Sequence, residues 1–318
     1  MFESILIADD DPVSRRLLQV SLGNSGYRVA MAADGAAALR MLDERDCPRL
    51  AVLDWMMPEV DGVEVCRRIR QGAREPYIYI ILLTAKGQKA EIIEGLEAGA
   101  DDYITKPFDL QELKARLRSG KRILELQEHL VTAREQLRIQ ATHDSLTGLF
   151  NRMAILEALD REITRSNREN KPVAVIMADL DHFKDINDTH GHQAGDAVLQ
   201  ETARRILASL RAYDSVGRYG GEEFLVVIPG SGLDAAAELA ERLRQGVSAQ
   251  AVCVDGAMIS TTLSLGLAVS TGEINRPEQL LQQADEALYA AKGAGRNRVE
   301  TVSRRELSSP PAALPQAR

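Results

Sequence analysis

Residues 218–228 read RYGGEEFLVVI: an Arg-Tyr pair, two glycines, two adjacent acids, an aromatic and an apolar run. The apolar run is strand-like. The pattern predicts a hairpin through Gly220-Gly221, glycine being the residue that reaches positive φ most cheaply. Side chains alternate faces along a strand, so Glu222 and Glu223 are expected to point opposite ways. The double glycine leaves backbone bare where a ligand could approach. Upstream, the apolar strand Val173–Met177 runs into Ala178-Asp179-Leu180-Asp181, again acids at a strand end. If Glu222 lies beside Asp179, the two carboxylates form a divalent-cation site with positions left for phosphate oxygens. Lys292 and Arg296, four apart, read as one face of a helix end able to neutralise a polyphosphate. Taken singly, each feature has a plainer reading as an exposed turn or a solvated helix terminus.

Around these segments, 143–152 (HDSLTGLFNR) reads as a polar turn leading into a helix that begins near Arg152. Residues 182–192 (HFKDINDTHGH) read as a polar stretch, Ala194–Leu210 and Pro277–Lys292 as helices, and Met258–Val269 as one further strand. Strands paired by hairpins with helices against them suggest an α+β domain with an antiparallel-rich sheet.

The first 118 residues follow a different pattern. Short apolar runs at 5–8, 28–32, 50–54, 77–83 and 102–105 alternate with amphipathic helices, which is the signature of a parallel, doubly wound sheet. In such sheets the working groups gather at the carboxyl ends of the strands. Here those ends carry Asp9, Asp10 and Asp11, then Asp54, Thr84 and Lys106. Carboxylates converging on one crevice repel, and a hard divalent cation, Mg²⁺, relieves that repulsion.

The chain of 318 residues is too long for one typical core. With 45% hydrophobic and 27% charged residues it is globular in composition. A formal charge of −8 argues against a surface for duplex nucleic acid while leaving room for a local basic pocket. Three scattered cysteines suggest reduced thiols in a cytosol. The N-terminal residues MFESILIADDD lack signal-peptide character and no apolar run could cross a bilayer, so a cytoplasmic, membrane-free protein is expected. Between the domains, 119–140 is charged and helical, with Ile123, Leu130 and Leu137 every seven residues and Leu126 and Ala133 in the companion seam. That spacing suits a short coiled coil, and a lone amphipathic helix on its own domain is the alternative. The last residues, 303–318, are rich in Pro, Ala and Ser and read as a disordered tail.

Two resemblances sharpen these readings. Residues 1–118 resemble the receiver domain of two-component response regulators through Asp9-Asp10, DWMMPEVDG (54–62), Thr84, Tyr103 and KPF from Lys106. The resemblance implies that Asp54 accepts a phosphoryl group from a histidine kinase. It implies one Mg²⁺ held by Asp10, Asp54 and the Met56 carbonyl, with Asp9 outside them. Lys106 would pair with the phosphoryl oxygens, with room for a cis bond before Pro107. Thr84 would move onto the phosphoryl group and Tyr103 would follow inward.

Residues 141–302 resemble the GGDEF family of diguanylate cyclases through DSLTGLFNR, DLDHFKDINDTHGHQAGD, RYGGEEF and AKGAGRN. Met153 departs from the pattern, standing where many members carry a second arginine. The resemblance implies a nucleotide-cyclase-like fold that condenses two GTP into cyclic di-GMP and pyrophosphate, as a homodimer. Asp179, the Leu180 carbonyl and Glu222 would hold one or two Mg²⁺. Asn187, His192 and Asp196 would recognise guanine and ribose, and Lys184, Lys292 and Arg296 would address phosphates. Glu222 is the family's proton acceptor, Lys184 is grouped with it as catalytic, and Glu223 would support the loop. Five residues separate Asp214 from Gly220, which places Arg211 and Asp214 at the offset of the family's product-inhibition site, with Arg242 as a third contributor. The competing readings are a non-catalytic GTP or cyclic di-GMP receptor and a transcriptional regulator that uses only the receiver. The lack of a helix-turn-helix pattern counts against the latter.

Overall fold

The computed structural model describes residues 4–44, 46–71, 76–85, 89–270 and 276–301. The expected tail at 303–318 lies outside them. The chain divides into two compact units, Met1–Glu135 and Gln136–Arg318.

The first unit alternates β1 (Ser4–Ala8), α1 (Pro12–Gly23), β2 (Arg28–Ala32), α2 (Gly35–Leu42), β3 (Leu50–Asp54), α3 (Gly62–Gln71), β4 (Tyr79–Thr84), α4 (Lys89–Glu97), β5 (Asp102–Thr105) and the start of α5 (Leu110–Thr142). The strands form one parallel sheet in the order β2-β1-β3-β4-β5. This is the doubly wound arrangement expected from the apolar runs. Successive residues of a strand serve opposite cores: Leu6, Ala51, Leu53 and Leu82 pack with Ala38, Val63 and Ile69, whereas Ile5, Ile7, Val52 and Ile81 pack with Leu18, Leu22 and Leu113. Burial on both faces is why these strands are apolar throughout rather than alternating. Asp11, grouped by sequence with the acids of the crevice, caps α1 instead, accepting from Val13 N at 3.2 Å and Ser14 N at 3.0 Å. A carboxylate at that position satisfies amides that the first turn leaves unpaired.

Helix α5 is continuous over 33 residues and passes through Gly120 without a break. Leu113, Leu117, Gly120 and Leu124 are buried, whereas Ile123, Leu126, Leu130 and Leu137 of the heptad pattern are exposed.

The second unit contains α6 (Arg152–Glu169), β6 (Val173–Leu180), α7 (Phe183–His190), α8 (His192–Ala208), β7 (Ser215–Arg218), β8 (Glu223–Pro229), α9 (Leu233–Ser248), β9 (Val252–Val254), β10 (Ala257–Ile259), β11 (Leu263–Val269), α10 (Pro277–Gly293) and β12 (Val299–Thr301). Its main sheet has the order β12-β11-β6-β8-β7, and β6 runs antiparallel to both neighbours. One face packs on α8 and α9 through Val198, Leu199, Ala236 and Leu239; the other packs on α6 and α10 through Ile155, Leu159, Ala284 and Leu288. Central β6 is buried along its whole length, and its last residues deliver Asp179 to the strand's carboxyl end.

Two local readings fail. The polar stretch at 182–192 contains α7, whose Phe183 and Ile186 supply just enough apolar surface to seat a two-turn helix. The single strand expected over Met258–Val269 is two strands in different sheets. Met258 pairs with Cys253 in a small hairpin, and Leu263 restarts pairing against Leu180. Both halves are apolar, and the interruption at 260–262 is marked in sequence only by Ser260-Thr261-Thr262, polar residues of which threonine also suits a strand.

Candidate functional site

In the first unit the crevice at the strand ends forms as read. Oxygen atoms of Asp9, Asp10 and Asp54 lie within 4.8 Å of one another, an arrangement able to hold a metal ion. Asp9 and Asp54 are buried and Asp10 is exposed. Lys106 Nζ stands 2.9 Å from Asp54 Oδ2 and 3.1 Å from Asp9 Oδ2. Asp9 also accepts from Ser14 Oγ at 2.8 Å and from Asp11 N at 2.9 Å, which leaves it less free than Asp10. Burial raises the Asp54 carboxyl above its ordinary range; Lys106 opposes this, and Asp9 and Asp10 reinforce it. Burial alone would lower Lys106, but its bonds to Asp54 and Asp9 hold it above the usual lysine range. Thr84 ends β4 buried, Tyr103 is half-buried on β5, and Met56 is exposed beside Asp54. The Lys106–Pro107 bond is cis. The acid set and its open side fit a hard cation with oxygen ligands.

In the second unit β7 and β8 form the antiparallel hairpin that RYGGEEF suggested, with Arg218 opposite Phe224. The reason for the glycines differs from expectation. Neither Gly220 nor Gly221 has positive φ. A Cβ on Gly220 would meet Glu223 Oε2 at 2.3 Å, where the Glu223 carboxylate folds back on the turn, a contact its flexible side chain could give way to. Glu222 precedes the strand, and its carbonyl accepts from Leu180 N at 3.2 Å. In the register Asp179 stands across from Glu223, and Glu222 is its diagonal neighbour, near enough for the two charges to interact. Burial first, and then the charge of Asp179, raise the Glu222 carboxyl above its ordinary range.

Asp179 is buried and its Oδ2 meets Lys292 Nζ at 2.7 Å. Burial nevertheless raises its carboxyl, against the hydrogen bond and charge of Lys292. Arg296 also acts on Asp179 electrostatically, but not from the helix. α10 stops at Gly293, and Arg296 and Asn297 follow in left-handed conformations with φ of 62° and 46°. The four-residue spacing with Lys292 therefore has no helical meaning; a loop, not a helix face, aims Arg296.

Asn187 is half-buried on α7, where its Oδ1 occupies the space a Cβ on Gly195 would need, 2.0 Å away. His192 and Asp196 are exposed on the first turns of α8, beyond the corner at Gly191, and Lys184 is exposed on α7. Helices α7 and α8 thus carry this group to one side of the acidic pair. Arg211 donates to Tyr213 OH at 2.7 Å, and its backbone N donates to Asp214 Oδ2 at 2.9 Å. Asp214 Oδ1 is buried with no hydrogen-bond partner. Arg242 on α9 donates to Ser209 O at 3.1 Å, on the segment leading to Arg211.

Two residues escaped the sequence reading. Asp181 is buried and accepts from Thr262 Oγ1 at 2.6 Å, Ser264 Oγ at 2.7 Å and Asn297 N at 3.1 Å, tying the end of β6 to β11 and to the loop that carries Arg296. The hydroxyls of Thr262 and Ser264, two apart on one strand face, were the available signal. Arg218 donates to Gly221 O at 2.7 Å and to Asp144 Oδ2 at 3.2 Å, so the DSLTGLFNR turn and the GGEEF turn share one guanidinium. Burial works against the Asp144 charge, but Thr147 and Arg218 together hold its carboxyl below the ordinary range. No local pattern announces a pairing across 74 residues.

Comparison with known proteins follows this division. Residues 5–118 match the response regulator receiver domain model, and residues 141–298 match the diguanylate cyclase GGDEF domain model. The chain is a receiver–GGDEF protein. The response regulator PleD of Caulobacter vibrioides is 33% identical over 297 residues, which is 93% of this receiver–GGDEF chain and 65% of PleD. The diguanylate cyclase DgcP of Pseudomonas aeruginosa is 34% identical over 318 residues, covering 95% of this chain and 46% of DgcP. The chain therefore spans between about half and two thirds of these curated relatives. Among solved structures, the coiled coil and GGDEF domain of DgcB from Caulobacter crescentus, in complex with c-di-GMP, superposes with a TM-score of 0.53 at 35% identity. That match covers 59% of this chain and 98% of DgcB's. No helix among the described residues is long and apolar enough to cross a membrane.

Proposed function

We propose that this receiver–GGDEF protein is a phosphorylation-controlled diguanylate cyclase that joins two GTP into cyclic di-GMP and releases two pyrophosphates. The observation that carries the reading is the nearness of the Asp179 and Glu222 charges where β6 ends and β8 begins, with Lys292 2.7 Å from Asp179. Both carboxyls are raised, Asp179 by burial and the charge of Asp181, Glu222 by burial and the charge of Asp179, and a divalent cation would relieve that strain.

Asp179, Glu222 and the Leu180 carbonyl are the groups that would hold Mg²⁺ in this site. Bound there, the ion supplies positive charge to the phosphate oxygens and to the oxyanion that develops at the α-phosphorus. The protein's own groups do the rest. Asn187 and Asp196 orient the guanine, and His192 contacts the ribose side. Lys184, Lys292 and Arg296 neutralise the triphosphate tail, with Lys292 exchanging Asp179 for a phosphate oxygen when nucleotide enters. The ribose 3′-hydroxyl of one GTP attacks the α-phosphorus of the other. The new P–O bond forms as the bond to pyrophosphate breaks, and Glu222 takes the hydroxyl proton. Each domain holds one GTP, so the cycle closes only when two copies meet, and the exposed seam Ile123, Leu126, Leu130 and Leu137 supports pairing through α5.

In the receiver, Asp54 takes a phosphoryl group from a histidine kinase, with Asp10 and the Met56 carbonyl as further ligands of a Mg²⁺ ion. Lys106 then meets the phosphoryl oxygens, Thr84 donates to them, and Tyr103 turns inward. This favours the dimer in which both half-sites face each other. Cyclic di-GMP bound by Arg211, Asp214 and Arg242 restrains that geometry. The protein acts in the cytoplasm.

Incubating the purified chain with GTP and Mg²⁺, then chromatographing for cyclic di-GMP, tests the assignment. Stoichiometric nucleotide binding without product would leave a GTP or cyclic di-GMP receptor in its place.

A further inference from the structure

At the far end of β6 from Asp179 lies a groove of about 310 Å³ that has no part in the functions above. Its walls come from the end of α6 (Glu162, Arg165, Glu169), from Lys171 before β6, from Pro229 after β8, and from Tyr213. Val173 opens β6 at this end, six residues from Asp179, so the groove stands about 20 Å from the acidic pair at the usual strand rise.

It is also separate from the Arg211–Arg242 side. α9, which carries Arg242, packs on one face of the sheet, and α6 packs on the other. Tyr213 sits at the rim between them, 57% exposed, with its hydroxyl accepting from Arg211 and the Arg211 guanidinium over its ring at 5.8 Å, which leaves the opposite ring face for a ligand.

The chemistry of the walls is selective. Tyr213 offers an aromatic face on which a base can stack. Glu169 and Glu162 offer carboxylate acceptors, and guanine is the base with adjacent N1–H and N2–H donors to give them. Arg165 lies 2.9 Å from Glu169, and Lys171 lies 3.2 Å from it, so cations flank those acceptors within reach of a phosphate. Adenine presents an acceptor where guanine presents N1–H. We propose that this groove binds a guanine base carried by a nucleotide, with Tyr213 stacking on it and Glu169 reading its Watson–Crick edge. The site extends the guanine chemistry of the protein to the second face of the sheet, and it stands whether or not the chain turns GTP over.

The test labels the seven tyrosines of the full chain with 3-fluorotyrosine and follows the Tyr213 signal, assigned from a Tyr213→Phe sample. Guanosine monophosphate should shift that signal saturably, and adenosine monophosphate should need about ten times the concentration, the penalty for an unpaired polar edge. Glu169→Gln should weaken the guanosine response by a similar factor, while Arg211→Ala retains it. Parallel titrations with cyclic di-GMP and GTP identify the carrier as whichever saturates lower. A Tyr213 signal that ignores guanosine monophosphate, or answers adenosine equally, overturns the proposal. So does a response that survives Glu169→Gln but disappears in Arg211→Ala, since that places the base on the other face. None of these readouts requires catalytic turnover.

Discussion

Lys292 Nζ lies 2.7 Å from Asp179 Oδ2, so the carboxylate proposed as a metal ligand is held by an ammonium proposed for phosphate. Cation and metal compete for one buried oxygen. Lys292→Met should therefore destabilise the metal-free protein by about 1–3 kcal/mol, because it strands a buried acid. Mg²⁺ should raise the melting temperature of this variant more than that of the parent, even though cyclase activity falls. Melting curves with and without Mg²⁺ check both parts, and equal Mg²⁺ responses would show that the ion does not reach Asp179.

The raised carboxyls of Asp54, Asp179 and Glu222 set a pH dependence with an unusual sign. A carboxyl whose folded pKa is raised binds its proton more tightly folded than unfolded. Stability from that group is thus present at acid pH and lost as pH climbs from the ordinary carboxylate range through the folded pKa. Without metal, chemical denaturation should show both units losing stability over that rise, and Mg²⁺ should cancel the loss at neutral pH. Asp54→Asn should abolish the first unit's share.

The same Asp54→Asn variant should lose kinase-dependent stimulation of cyclic di-GMP synthesis while its affinity for GTP stays within about twofold. A phosphotransfer assay coupled to product detection decides it; undiminished stimulation would remove Asp54 from the switch.

Arg218 joins Gly221 O to Asp144 from a largely buried position. Arg218→Ala frees the turn before Glu222 and leaves Asp144 without its cation. Turnover should drop at least about tenfold while GTP binding through Asn187 and Asp196 persists, a positioning effect on kcat more than on KM. Arg218→Lys, which cannot make both contacts in a planar fork, should recover little.

Product inhibition offers a fifth check. Arg211→Ala should raise the cyclic di-GMP concentration that halves activity by about tenfold or more, with initial rates unchanged. Equal inhibition of both forms would remove Arg211 and Asp214 from that role.

Much of this architecture is visible in local pattern. The continuous apolar runs of β1, β3 and β4 imply burial on both faces, and that implies a parallel sheet with acids at its carboxyl ends. DLD and GGEEF likewise mark two strand ends by their acids, although the antiparallel β6–β8 pairing that brings them together spans α7, α8 and β7. Where the reading failed, the deciding contact was distant in sequence. Gly220 lies beside the Glu223 carboxylate and does not have the positive φ that the hairpin reading expected. Asp11 resembles its neighbours in composition but faces the amides of α1.

By itself, then, the sequence determined the two units, the order of their strands' chemistry and the acids at their ends, because periodicity and strand termini are local properties. Only the tertiary structure decided that Lys292 holds Asp179, that Asp181 is spent on Thr262 and Ser264, and that Arg218 spans two turns. Each of those is a charge finding its partner across a folded sheet, and solvent-excluded pairing of that kind is fixed by packing, which no stretch of neighbouring residues encodes.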